Sequence, residues 1–151
     1  MADINEIRAG EIAVSPPAAG DAGLEFIGRM HTPWTSRAET PRQGRDDGPI
    51  CRIEVFDKWA PALKGLDAFE TIFVIYWLHQ SRRDLVTQSP RSNGTTLGTF
   101  ALRSPVRPNP LGLSQVKLVG IEGNIVSVRG LDCLDGTPLI DIKPDRCPHS
   151  G

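Results

Sequence analysis

The sequence predicts an all-β, mostly antiparallel domain, a small barrel or sandwich with a few short helices. Three observations carry this. The apolar runs are strand-sized, and the longest is Ile72-Phe73-Val74-Ile75-Tyr76-Trp77-Leu78. No strand–helix alternation appears, which argues against a doubly wound sheet. The 151 residues include 15 glycines and 13 prolines, well above the roughly 12% of average usage, so turns should be frequent.

The elements follow in order. Residues 1–22 have weak periodicity and a Pro16-Pro17-Ala18-Ala19-Gly20 cluster. They read as a loosely ordered leader in which Ile12 and Val14 can add an edge strand. The barrel-sized domain spans 23–145, and 146–151 is an irregular tail. Gly23 to Met30 reads as a first strand. His31 to Gly48 has no apolar stripe and reads as a long loop, a common place for function. In Cys51 to Phe56, Ile53 and Val55 alternate with polar neighbours, as in a strand. Lys58 to Leu66 places Trp59, Leu63 and Leu66 at helical spacing. Ala68 to Leu78 is a central strand by its β-branched and aromatic content. Ser81 to Thr96 reads as a mobile polar stretch, and Leu97 to Arg103 as a strand. Pro105, Pro108 and Pro110 then exclude regular structure up to Gly112. Leu113 to Ile121 and Ile125 to Leu131 form a hairpin around Glu122-Gly123-Asn124. Pro138 to Ile142 is the last strand, after the Asp135-Gly136 turn.

The formal net charge is −1, which disfavours a wholesale nucleic-acid coat protein. No apolar stretch reaches the roughly 20 residues that span a bilayer as a helix. Asp3, Glu6, Arg8 and Glu11 leave no apolar core for a secretory signal. Cys51, Cys133 and Cys147 have no CxxC spacing, so reduced thiols in a cytoplasmic protein are expected. Cys147 and His149 are too few for a metal site, and none is expected.

Four segments carry chemical interest. Arg103-Ser104-Pro105-Val106-Arg107-Pro108-Asn109-Pro110-Leu111-Gly112-Leu113 is a stiffened loop that displays Arg103, Arg107 and Asn109. A stiff loop loses little entropy on binding, and guanidinium groups suit carboxylates and phosphates. A rigid connector with solvated arginines fits the same residues equally well. Asp132, between Leu131 and Leu134, can accept from ribose hydroxyls, a base amine or an arginine, or simply cap a turn. Thr40-Pro41-Arg42-Gln43-Gly44 offers side-chain and backbone donors. His79-Gln80 follows the most apolar strand, where a structural histidine is the commoner outcome. No P-loop, GxGxxG or Ser/His/Asp spacing is present. From Ser81 to Arg107 the chain carries Arg82, Arg83, Arg91, Arg103 and Arg107 against Asp84 alone, a basic stretch suited to phosphates.

Taken together and in this order, these segments resemble the TrmO (YaeB-like) family of S-adenosylmethionine-dependent tRNA methyltransferases. The resemblance runs from about residue 24 to 144. It passes through Phe26-Ile27-Gly28, Thr32-Pro33-Trp34, Pro41-Arg42-Gln43-Gly44, Leu63-Lys64-Gly65-Leu66 and Tyr76-Trp77-Leu78-His79-Gln80. It continues through Gly98 to Pro105, Arg107 to Leu113, Gly130-Leu131-Asp132, Asp135-Gly136-Thr137-Pro138 and Asp141-Ile142-Lys143-Pro144. The resemblance implies a small β-barrel, a homodimer with S-adenosyl-L-methionine near the subunit interface, and tRNA as partner. It implies methyl transfer to N6 of threonylcarbamoyladenosine beside the anticodon. Carried onto matching positions, the cofactor residues are Pro41, Arg42, Gln43, His79, Gln80, Arg103, Leu113 and Asp132. With Arg103 given to the cofactor, Arg82, Arg83, Arg91, Arg107 and Asn109 are the expected substrate-binding residues. Leu102 departs from the usual Thr, and Asp145 from the usual Tyr. Several bacterial members carry a further C-terminal domain, so either RNA binding rests on the barrel alone or the acceptor differs.

Displacement at an activated sulfonium methyl needs mainly positioning. His79, Asp132 or a water can take the acceptor's proton, and the sequence does not choose among them. Two other classes fit parts of the pattern. One is a barrel that senses the cofactor or grips single-stranded RNA without chemistry. The other is a hydrolase built on Asp132, Asp135 and His79.

Overall fold

A computed structural model describes residues 5–15, 20–90 and 94–148. Nine strands are assigned among them, in the order β1 Ile12–Ala13, β2 Gly28–His31, β3 Ile50–Val55, β4 Thr71–Trp77, β5 Leu85–Gln88, β6 Leu97–Gly98, β7 Leu111–Glu122, β8 Ile125–Arg129 and β9 Pro138–Pro144. Among the described residues, helical structure is limited to 3-10 turns at Asp57–Leu63, Leu66–Ala68 and Thr99–Ala101. The chain divides into two compact units: Leu24–Trp77 with Gly112–Gly151, and Met1–Gly23 with Leu78–Leu111.

The first unit is a closed barrel with strand order β2-β3-β8-β7-β4-β9. Closure removes the open sheet edges that a small antiparallel sheet would leave. Alternation along each strand selects the interior. In β4, Ile72, Val74 and Tyr76 are buried; in β8, Val126 and Val128; in β7, Gly112, Ser114 and Val116. Met30, Ile53 and Leu139 complete the core from β2, β3 and β9. The remaining β4 side chains, Thr71, Phe73, Ile75 and Trp77, are half-buried. The apolar run therefore has no fully solvated face, which explains its near-continuous hydrophobicity. The hairpin predicted around Glu122-Gly123-Asn124 is present, with Glu122 opposite Ile125.

The second unit is a three-stranded sheet of order β1-β5-β6. Its interior mixes Leu85 and Val106 with the buried polar pair Gln88 and Thr99. The Gln88 amide nitrogen donates to Thr99 Oγ1 (2.9 Å) and to the Val106 carbonyl (2.7 Å), and the Thr99 hydroxyl donates to the Leu85 carbonyl (2.8 Å). One polar network thus ties β5, the Thr99–Ala101 turn and the proline-rich loop. The Leu78 N–H donates to the Pro110 carbonyl at 2.7 Å, joining the two ends of the segment from Leu78 to Leu111.

Several sequence expectations differ in detail. Lys58 to Leu66 forms 3-10 turns, because Pro61 supplies no donor for an α-helical ladder. The strand expected from Leu97 to Arg103 stops at Gly98, where Thr99 turns inward to meet Gln88. The polar stretch from Ser81 contains β5, whose hydrogen bonds come from β1 and β6. The first barrel strand begins at Gly28 rather than Gly23.

Candidate cofactor site

Two of the predicted segments meet within the barrel unit. Gly44 closes the Pro41-Arg42-Gln43 stretch, and a Cβ there would overlap the Gly130 carbonyl oxygen. Only glycine allows that backbone approach. Gly130 itself has a φ of 111°, and it turns the chain from β8 into Leu131 and Asp132. Pro41 is half-buried, while Arg42 and Gln43 are exposed beside this contact.

Asp132 is held by two hydroxyls. The Tyr76 phenol donates to Asp132 Oδ1 at 2.9 Å and lies 2.8 Å from Ser114 Oγ, which is 3.5 Å from the same carboxylate oxygen. Tyr76 is 5% exposed and Ser114 8%. Burial, and next the negative charge of Asp132, push the Tyr76 phenol well above its ordinary pKa. It therefore stays protonated and donates. A Cβ at Gly112 would collide with the Tyr76 ring, so β7 meets that ring with bare backbone. Asp132 Oδ2 has no partner among the described residues. This leaves a half-buried carboxylate oxygen, oriented but uncommitted, of the kind that accepts from a ribose hydroxyl or an amine. Leu113, between the buried Gly112 and Ser114, points to the other face of β7 and is 48% exposed.

Neighbouring groups serve structure. The Thr32 N–H donates to Asp135 Oδ1 and the Thr32 hydroxyl to the Cys133 carbonyl, tying the Asp135-Gly136 turn to the end of β2. Burial, with a smaller effect from Asp132, pushes the Cys133 thiol up to about 12, so it is an inert protonated thiol at neutral pH. No cluster of three or more metal-ligating side chains occurs among the described residues.

The remaining predicted residues lie in the second unit. His79 and Gln80 are exposed in the turn that follows β4, and the Gln80 carbonyl accepts from the Asn5 amide at 3.0 Å. Arg103 is exposed and lines a cleft with Arg8. The arginines expected to meet RNA make internal bonds as well. Arg82 forms a paired interaction with Asp84 (2.7 and 2.9 Å) and donates to the Asn5 carbonyl. Arg107 donates to the carbonyls of Leu102 and Ser104, both at 3.0 Å. Arg83 donates to the Pro108 carbonyl at 2.7 Å and approaches Asn109 Oδ1 at 3.5 Å. Arg91 lies outside the described residues.

Tyr76 and Ser114 were not singled out from sequence. One available signal was that Tyr76 is the only tyrosine of the chain. It sits inside the most apolar strand, where a buried hydroxyl must find a partner.

The family model for the tRNA-methyltransferase O N-terminal domain matches residues 29–146. The chain belongs to the TrmO family. A relative from Rhizobium radiobacter, named a probable S-adenosyl-L-methionine-binding protein VirR, is 55% identical over 140 residues, covering 93% of this chain and 80% of the relative. A mouse tRNA (adenine(37)-N6)-methyltransferase is 35% identical over 134 residues, covering 83% of this chain and 31% of that enzyme. The crystal structure of TrmO from P. aeruginosa superposes with a TM-score of 0.69 at 30% identity. It matches 87% of this chain, which spans 57% of the TrmO chain in that structure.

Proposed function

We propose that this TrmO-family chain is an S-adenosylmethionine-dependent methyltransferase of tRNA, acting on N6 of threonylcarbamoyladenosine beside the anticodon. The observation that carries the reading is the Asp132 carboxylate. Tyr76 and Ser114 orient one oxygen and leave the other open, while the Gly44–Gly130 contact brings the Pro41–Gln43 stretch to the same strand end. That donor and acceptor set fits the cofactor. Asp132 accepts from its ribose or amine, and backbone and side-chain donors at Arg42 and Gln43 serve its polar atoms. By motif position alone, Leu113, His79, Gln80 and Arg103 are further proposed cofactor residues.

The cofactor supplies an activated methyl group, so the residues have to orient, exclude water and accommodate one proton from the acceptor nitrogen. Asp132 suits orientation, because the Tyr76 phenol and Ser114 fix its plane. For RNA, Arg83, Asn109 and Arg91 are the proposed contacts. Arg82 and Arg107 are proposed contacts as well, and their bonds within the unit brace the loop that carries them. The working species is a homodimer in the cytoplasm. Light scattering giving a dimer mass at micromolar concentration supports that part, and a monomer mass rejects it.

Mass spectrometry of tRNA nucleosides after incubation with protein and cofactor tests the reaction. The expected product is methylated threonylcarbamoyladenosine. Cofactor binding without any methylated nucleoside would replace this reading with a cofactor-sensing barrel.

A further inference from the structure

The barrel has a charged outer face that none of the motif positions uses. Between β2 and β3, Arg29 stands opposite Glu54 and His31 opposite Arg52. Between β3 and β8, Arg52 stands opposite Ser127 and Ile50 opposite Arg129. Between β8 and β7, Arg129 stands opposite Lys117. Their neighbours along the strands are the buried Met30, Ile53, Val128 and Val116, so these side chains share the outside of the sheet. The whole chain has a net charge of −1. This face nevertheless sets Arg29, Arg52, Lys117 and Arg129 against Glu54, with Glu122 at its far edge in the hairpin.

The acid on this face is already engaged. Glu54 Oε1 lies 2.9 Å from His31 Nε2 and 3.5 Å from Arg29 Nε. Arg129 Nη1 donates to the Gly48 carbonyl at 2.6 Å, which holds that guanidinium in place. The exposed Arg52 guanidinium and Lys117 ammonium have no partner among the described residues. Opposite residues in a sheet are about 5 Å apart and alternate residues about 7 Å. The cations therefore form a grid suited to a chain of anionic groups rather than to one small anion. Arg129 leads directly into Gly130, whose backbone packs on Gly44, and then into Asp132. The Arg129–Lys117 row is thus the edge of the face nearest the candidate cofactor site. Neither that row nor the His31–Arg52–Ser127 row contains an acid. Ser127 sits between them, where a protein interface would place an apolar anchor.

We propose that the outer face of β2, β3, β8 and β7 binds the phosphate backbone of the RNA substrate, with Arg52, Lys117 and Arg129 as its contacts. These residues carry no base readout. They fix the register of the RNA on the barrel and lead it toward the strand end that carries Asp132. The proposal deepens the reading above and rests on tRNA being the substrate.

Binding of the full chain to tRNA across a salt series tests it. Each lost phosphate contact should flatten the slope of log affinity against log salt by about 1. Arg52→Ala and Lys117→Ala should each do so, and the double variant should lose about 2. Arg52→Lys should keep the parental slope. Both side chains are exposed and unpartnered, so melting temperature and calorimetric S-adenosylmethionine affinity should stay at the parental values. Lys64→Ala removes an exposed charge from the same unit but from outside these strands, and should leave the slope unchanged. The proposal is overturned if the double variant keeps the parental slope, as it would if the face served an acidic protein. It is also overturned if Lys64→Ala flattens the slope as much as Arg52→Ala, which would mean diffuse attraction only. A parent that methylates tRNA while the double variant keeps its slope rejects this face alone. Variants that flatten the slope of a parent yielding no methylated nucleoside support the face and reject the methyl-transfer reading. A parent that does not bind tRNA rejects both.

Discussion

The interiors of the two units rest on different forces. In the barrel, side chains such as Met30, Ile53, Val74, Val126 and Leu139 are fully buried, and each large aliphatic side chain so buried contributes about 1.5–3 kcal/mol. In the second unit the strands are short, and the interior depends on Gln88, Thr99 and arginine-to-carbonyl bonds. Such hydrogen bonds contribute about 1 kcal/mol each when made, but leaving a buried partner unmet costs about 1–3 kcal/mol. The barrel thus tolerates many conservative apolar changes and fails where backbone meets backbone. The smaller unit fails where a single polar atom is removed.

The sharpest way to break this contrast is Gly44→Ala. The added methyl meets the Gly130 backbone, not the end of a flexible side chain, so the strand end must move. A loss of more than about 3 kcal/mol in chemical denaturation is expected, with cofactor binding abolished. A loss below about 1 kcal/mol would show that the two segments are not locked.

Next in size is Gln88→Ala, expected to destabilise by about 1–3 kcal/mol because Thr99 and the Val106 carbonyl lose a buried donor. Hydrogen exchange should quicken in Leu85–Gln88 and at Thr99 while the barrel strands keep their protection. Equal loosening of both units would remove the distinction drawn here.

Tyr76→Phe removes one hydroxyl and leaves the ring under Gly112. It should cost about 1 kcal/mol of stability and weaken cofactor binding several-fold, because Asp132 loses its orienting donor. Asp132→Asn should weaken binding at least as much. Unchanged calorimetric affinity in the Tyr76 variant would reduce the hydroxyl network to a structural role.

The smallest effect is on acid stability. The Arg82 guanidinium holds the Asp84 carboxyl below its ordinary pKa, chiefly through their hydrogen bonds. A depressed folded value means that the stabilisation is complete above the ordinary aspartate value of 3.8 and is lost as pH falls through the folded one. Asp84→Asn should therefore cost about 0.5 kcal/mol at pH 7 and little near pH 2. Thermal unfolding at the two pH values measures it, and an equal cost at both would contradict the linkage.

How much of this was legible in the sequence follows the same division. The barrel strands were readable because alternation and β-branched content mark them directly, as in Ile72 to Leu78 and the Glu122-Gly123-Asn124 hairpin. The second unit was read poorly. Its β5 is four residues long with a polar half, and Thr99 ends β6 for the sake of a partner eleven residues away. Local patterns carry no trace of such a bond. At the site, the Pro41–Gln43 and Asp132 motifs stood out, yet the contact that unites them is made by two glycines whose importance lies in having no side chain.

One feature of the connectivity bears on how such a protein can change. β4 and β7 are neighbours in the barrel, and everything from Leu78 to Leu111 lies between them, with its ends bridged by the Leu78–Pro110 hydrogen bond. In barrel terms this segment is one oversized hairpin loop. Its length and composition can drift without shifting the register of any barrel strand, because the bridge fixes where the chain leaves and where it returns. A lineage can therefore rewrite this arginine-bearing segment as an exchangeable cassette on an inherited frame.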